Sequence, residues 1–188
     1  AVYYTDGTAM LIEAKADSEH ITVPSKIGDY TITEIAGAYQ NNSKIKTVTI
    51  PDTVTGIKPY AFYGCESLTS VVLPDSLTSI GESAFGFCTN LTSIAIPDSV
   101  TSIGFLAFSD CTSLTGVVIG SGMDSLGDDL FDDCTGLVDV AIPVSVVYID
   151  GAFAGCTNLK NVFYAGTREQ WDNIAITEQE GNVPLWDV

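Results

Sequence analysis

The chain has 188 residues, 46% hydrophobic and only 16% charged, with a formal net charge of −17, a composition that folds rather than staying disordered. No run approaches 18 apolar residues, so the sequence holds no transmembrane helix. From Pro59 to Leu159 there is not one Lys or Arg, which argues against a phosphate-neutralising nucleic-acid groove and against attraction to anionic membranes. The acidity otherwise serves the solubility of a Thr- and Ser-rich surface. The chain starts at "AVYYTDG", with no initiator Met and no leader, and is expected to be a processed or trimmed piece; secretion stays open.

At the N-terminus, "VYYTDGTAMLIEA" reads as two strands around an Asp6-Gly7 turn, an expected β cap over residues 1–20. A repeat follows. Cys65, Cys88, Cys111 and Cys134 are spaced by 23 residues and Cys156 follows after 22. Each closes a similar phrase: "KPYAFYGC", "GESAFGFC", "GFLAFSDC", "GDDLFDDC" and "DGAFAGC". One full unit is Leu91 to Cys111, "LTSIAIPDSVTSIGFLAFSDC". In it Ile94 and Ile96 share one face by the period-2 rule, and Ser93 and Ala95 the other. Pro97 lacks the N–H that a ladder needs, so the strand stops there. "PDSV" reads as a turn in which the Asp or Ser side chain bonds nearby backbone. "VTSIG" reads as a second extended leg, and the Ala-Phe segment as a single helical or 3₁₀ turn. At the far end, "TREQWDNI" reads as a short helix with Thr167 as N-cap, and Trp171 is expected to cover the last coil.

The inward apolar side chains of a single unit cannot offset the entropy lost in ordering its 23 residues, so one coil cannot stand alone and neighbours must stack. Stacked strands sit about 4.8 Å apart. That spacing lines up Tyr39, Phe62, Phe85, Phe108, Phe131 and Phe153 as a buried aromatic column. The fold expected is a repeat solenoid of the leucine-rich-repeat horseshoe type, with about six 23-residue repeats. It carries a parallel sheet on one face and short strands and 3₁₀ or helical turns on the other. The solenoid should span residues 21–163, and a C-terminal cap segment residues 164–188. Two units depart from the pattern: Gly120 replaces Pro and Leu130 replaces Ala in the fourth, and Val144 replaces Asp in the fifth. Altered loops are expected there, without a break in the solenoid.

The stretch "CTNLTSIAIPDSVTSIGFLAF" closely resembles the BspA-like class of bacterial surface leucine-rich repeats. In that light Asn42 of "IAGAYQNN" stands where cysteine is expected, since Asn and Cys alternate at the polar position of such repeats. "ITVPSKIGDYTITEIAG", Ile21 to Gly37, resembles the family's first repeat, with its longer Gly-containing loop after the proline. "VFYAGTREQWDNIAI", with Gly181-Asn182 and Pro184-Leu185 after it, resembles its terminal segment. The resemblance implies an extracellular or cell-surface adhesion module that binds a host or cell-surface protein or glycan. The alternative is a passive stalk that spaces another domain from the cell.

Outward positions of the main sheet supply the candidate ligand face: Ser70, Val72, Ser93, Ala95, Val118, Asp139, Ala141, Asn161 and Phe163, with Thr47, Thr49 and Gly116 on the same face. One column reads Thr, Val, Ala, Val, Ala, Phe, a smooth, weakly apolar strip that suits an extended or flat partner. Small and β-branched residues also simply suit a sheet. The five cysteines are odd in number and lack a CxxC pair. Parallel side chains hold their Cβ atoms about 4.8 Å apart, beyond the roughly 3.8 Å a disulfide prefers, so a buried ladder of free thiols is expected. Asp124, Asp128, Asp129, Asp132 and Asp133 match no calcium-loop pattern and read as a solvated convex loop. His20, the only histidine, is placed in a solvated loop outside the regular coils. No facing carboxylate pair, phosphate loop, nucleophile elbow or metal triad occurs, so neither enzyme activity nor a cofactor or metal is expected.

Overall fold

The computed structural model describes residues 1–14, 17–127 and 129–177. Gly181-Asn182 and Pro184-Leu185 lie outside the described residues. The chain opens with β1 (Val2–Tyr3) and β2 (Thr8–Leu11), antiparallel across the Asp6-Gly7 turn. Gly7 has φ +84°, and the Asp6 carboxylate accepts from both the amide and the hydroxyl of Thr8. Then come β3 (His20–Thr22), β4 (Lys26–Ile27) and β5 (Tyr30–Ile35), the last two a hairpin after Pro24.

From there two-stroke coils repeat. The first strokes are β6 (Thr47–Thr49), β8 (Ser70–Val72), β10 (Ser93–Ala95), β12 (Gly116–Val118), β14 (Asp139–Ile142) and β16 (Asn161–Tyr164). The second strokes are β7 (Gly56–Ile57), β9 (Ser79–Ile80), β11 (Ser102–Ile103), β13 (Ser125–Leu126), β15 (Tyr148–Ile149) and, after helix α1 (Arg168–Asp172), β17 (Ala175–Ile176). Within each ladder from β6 onward equivalent strands pair in parallel without register slip, as in Ser93↔Gly116↔Asp139↔Asn161. The first sheet runs β3-β6-β8 and then β10-β12-β14-β16; the second runs β1-β2-β5-β7-β9-β11 and then β13-β15-β17. β2 is therefore a rung of the second sheet, and β1 closes that sheet's edge.

The interior is one continuous cluster. Tyr39, Phe62, Phe85, Phe108, Phe131 and Phe153 form the expected column, with neighbouring ring centroids 5.2–5.6 Å apart and planes within 15°. Centroids wider than the rung spacing mean offset stacking, which the ring quadrupoles favour. All five cysteines are free and buried. Each thiol donates to a carbonyl of the preceding coil: Cys65 to Tyr39 (3.1 Å), Cys88 to Phe62 (3.3 Å), Cys111 to Phe85 (3.3 Å), Cys134 to Phe108 (3.1 Å) and Cys156 to Phe131 (3.2 Å). The column needs a small donor, and a thiol satisfies a buried carbonyl with little desolvation cost.

The Ala-Phe segment, expected as a single helical or 3₁₀ turn, is three linked turns closed by the i→i−3 bonds of the 3₁₀ pattern. Ala84, Gly86 and Cys88 bond back three residues, to Gly81, Ser83 and Phe85 (3.1–3.2 Å). The alternate amides of Ser83, Phe85 and Phe87 donate instead to Phe105, Ala107 and Ser109 of the next coil (2.8–3.0 Å). Sharing amides between coils forces left-handed backbone at two places per coil. One column is Tyr60, Ser83, Leu106, Asp129 and Gly151; the other is Asn41, Gly64, Phe87, Asp110, Asp133 and Gly155, all at φ between 48° and 67°.

The corner serine also behaves differently from its expected local role. Ser76, Ser99 and Ser145 donate across to Val54, Leu77 and Met123 of the preceding coil (2.6–2.8 Å). Thr69, Thr92 and Thr115 staple the first strokes in the same way (3.0–3.2 Å).

The solenoid continues through the fourth unit, as expected, but its spacing changes there. Among the described residues β11 and β13 do not pair. A Cβ on Gly81 or Gly104 would lie 2.4 Å from the backbone of the coil before, whereas Gly127 has nothing within 4 Å. A crevice of about 160 Å³ opens between Ile103, Gly104, Phe105, Gly127 and Leu130. Leu130 occupies the column of Ala61, Ala84, Ala107 and Ala152, and its added volume holds the second strokes apart. At the corner the same two coils are pinched: Cβ atoms on Gly120 and Gly122 would lie 2.4 Å from the Pro97 carbonyl and 2.3 Å from that of Asp98. The fourth coil is thus tilted on the third.

Candidate functional site

The first sheet buries Val48, Val71, Ile94, Val117 and Val140 and turns the alternate residues to solvent. Two straight columns result. One carries Thr47 and Ser70, then Ser93, Gly116, Asp139 and Asn161; the other carries Thr49 and Val72, then Ala95, Val118, Ala141 and Phe163. Val72 (62%), Val118 (53%) and Phe163 (59%) are exposed.

The residues of the expected face are divided by a joint in the sheet. No ladder joins β8 to β10 among the described residues; Thr92 bridges the two coils through Thr69. Beyond that joint, Ser93, Ala95, Gly116, Val118, Asp139, Ala141 and Phe163 enclose a groove of about 410 Å³. Ser70 and Val72 lie on the other side of the joint and do not line it. Asn161 lies at the groove's margin and donates through Nδ2 to Asp139 Oδ1 at 2.6 Å. The depth comes from Gly116, where no side chain rises between Ser93 and Asp139; the nearest atom a Cβ would meet is 4.0 Å away. Phe163 walls one end. Gly116 stood among the outward residues but not in the candidate ligand face, and its lack of a side chain is the signal that it forms the floor.

His20 is placed differently from its expected loop. It begins β3, pairs in register with Thr47, and its Nδ1 lies 2.8 Å from the Thr47 hydroxyl. It thus heads the outward column. The phrase "HITVP" mirrors "SIAIP", and aligning the prolines places His20 with Ser93.

The thiols are free and buried. Burial pushes Cys65 up to about 11 and Cys88 well above the ordinary thiol value; the neighbouring Cys111 thiol, with burial, raises Cys134. Of the acid cluster, Asp128 lies outside the described residues. Burial and the adjacent Asp133 raise the carboxyls of Asp110 and Asp132. Among the described residues no group of three or more His, Cys, Asp or Glu is placed to hold a metal. Nor, among the described residues, is any helix long and apolar enough to cross a membrane. Near the N-terminus three lysines form ion pairs: Lys46 with Glu19 (2.9 Å), Lys58 with Glu34 (2.7 Å) and Lys44 with Asp17 (3.4 Å). At the other end Thr167 caps α1 as expected, with a reciprocal bond from its own amide to Gln170. Trp171 is partly buried on the core and packs its ring 5.4 Å from Tyr164.

Parallel strokes of 23-residue period, a thiol ladder and an outward-facing first sheet define a leucine-rich-repeat solenoid. The pattern of the BspA type leucine rich repeat region matches residues 31–160 in six copies, and the chain belongs to that family, one of bacterial surface proteins. The chain is similar to the leucine rich repeat protein of T. pallidum, at 31% identity and a TM-score of 0.82, covering 87% of this chain and 77% of that one. It is also similar to a leucine-rich repeat protein from Bacteroides ovatus, at 28% identity and a TM-score of 0.64, covering 86% and 50%. The pneumococcal vaccine antigen PcpA shares the fold, at 18% identity and a TM-score of 0.61 over 80% of this chain and 42% of that one. No similar sequence was found among curated proteins.

Proposed function

We propose that the chain is an extracellular binding module whose groove over β10, β12, β14 and β16 seats an extended segment of a partner protein. The hairpin of residues 1–20 and the segment from residue 164 serve as its caps. The observation that carries this reading is the groove itself. It is the size of a ligand site, apolar on its floor, and bounded by an exposed aromatic ring and one carboxylate. Such a floor suits alternate side chains of an extended polypeptide. With no Lys or Arg between residues 59 and 159, it favours a neutral or basic segment.

The test is a binding screen with purified host extracellular proteins and mucin glycans, followed by titration of Phe163→Ala against whichever protein binds. The expected result is a protein ligand whose affinity falls about tenfold in the variant, as loss of an interface aromatic does. Binding of glycans alone, unchanged affinity in Phe163→Ala, or no ligand at all, as a passive spacer predicts, would each overturn the reading.

A further inference from the structure

The linked turns carry a second exposed surface, away from the first-sheet groove and independent of the function proposed for it. In the first three coils it is aromatic. Tyr60, Phe87 and Phe105 are exposed at 39%, 42% and 48%. The Tyr63 ring lies 5.7 Å from that of Tyr60 and 5.4 Å from that of Phe87. Gly86 allows this, because a Cβ there would come within 3.3 Å of the Tyr63 ring. Along the same columns the next coils turn acidic: Phe87 is followed by Asp110 and Asp133, and Tyr63, after Gly86 and Ser109, by Asp132. Hydrogen bonds from Phe87 N to Ser109 O (2.9 Å) and from Asp110 N to Asp132 O (2.8 Å) hold these rungs adjacent, so rings and carboxylates form one strip.

We propose that this strip is a docking surface for arginine- and lysine-bearing segments of a partner polypeptide. Cations lie favourably over exposed aromatic faces and pair with carboxylates, and a strip offering both within a few rungs matches that chemistry. Charge complementarity singles out a basic partner, because the coils contribute no cation of their own from Pro59 to Leu159. The raised carboxyls of Asp110 and Asp132 agree, since their burial and mutual repulsion go uncompensated by any protein cation. A neutral glycan would leave them so. Tyr60 and Phe87 hold left-handed backbone, at φ 61° and 58°, a conformation costly for bulky side chains, in columns that, Leu106 apart, elsewhere use Asn, Asp, Ser or Gly.

Fluorescence anisotropy with labelled hexa-arginine, a glycine–serine hexapeptide and a neutral hexasaccharide tests the inference. Hexa-arginine should bind and the other two should not. Phe87→Asn keeps the net charge and suits the left-handed backbone, yet should weaken hexa-arginine binding roughly two- to fivefold, the size of an exposed cation–aromatic contact. Asp110→Asn with Asp133→Asn should weaken it further. Equal affinity of Phe87→Asn and the parent chain would show that overall charge alone holds the peptide, and would overturn the proposal. So would preference for the hexasaccharide.

Discussion

Phe108→Ala is expected to destabilise the chain by about 4 kcal/mol, read as a lowered midpoint in urea unfolding. Phe108 has no exposed surface and sits between Phe85 (5.3 Å, 0°) and Phe131 (5.4 Å, 15°). Removing its ring leaves a cavity and takes a stacking partner from both neighbours. The position also matters. A solenoid coil touches only the coils beside it, so weakening a central interface loosens the coupling between two halves. The variant should therefore unfold over a broader range as well as earlier. Phe163→Ala is the comparison: its ring is 59% exposed, and its loss should cost under about 0.5 kcal/mol. A Phe108→Ala midpoint matching that of Phe163→Ala would mean that the aromatic column does not bear the core.

Gly120→Pro is expected to lower the melting temperature by about 4–8 °C, equivalent to about 2 kcal/mol for a chain of this size. The repeat pattern argues the reverse. Pro51, Pro74, Pro97 and Pro143 occupy the position in other units, and restoring a proline ordinarily stabilises by about 0.4–1 kcal/mol through the unfolded chain. Here the corner is pinched. A Cβ on Gly120 would lie 2.4 Å from the Pro97 carbonyl oxygen and 2.6 Å from the Asp98 amide nitrogen, both backbone atoms that cannot swing aside. Restoring the pattern must push the fourth coil off the third. A raised melting temperature would contradict the tilt between these coils.

Those two coils mark the limit of what the sequence alone conveys. Period and burial were legible because cysteine, phenylalanine and the strand apolars recur in fixed columns. The Asp6-Gly7 hairpin and the Thr167 cap were legible because each depends on a few adjacent residues. Coil-to-coil geometry was not. Whether Ser99 bonds within its own turn or to Leu77 of the coil before depends on stacking, not on neighbours in the chain. The left-handed columns were hidden for the same reason: Phe87 and Leu106 carry no local preference for positive φ, and amide sharing with the next coil imposes it. The candidate face was legible as two columns. Its division at β8 and β10, and the groove over Gly116, arise from how rungs meet.

Thiol accessibility tests the central claim, that near-identical coils stack around a dry interior. Titrated with a thiol reagent at neutral pH, the native protein should show none of Cys65, Cys88, Cys111, Cys134 and Cys156, and denaturant should reveal all five. Labelling in dilute denaturant should follow the rate of opening of the coils. Rapid native labelling of Cys88, Cys111 or Cys134 would contradict the solenoid described above.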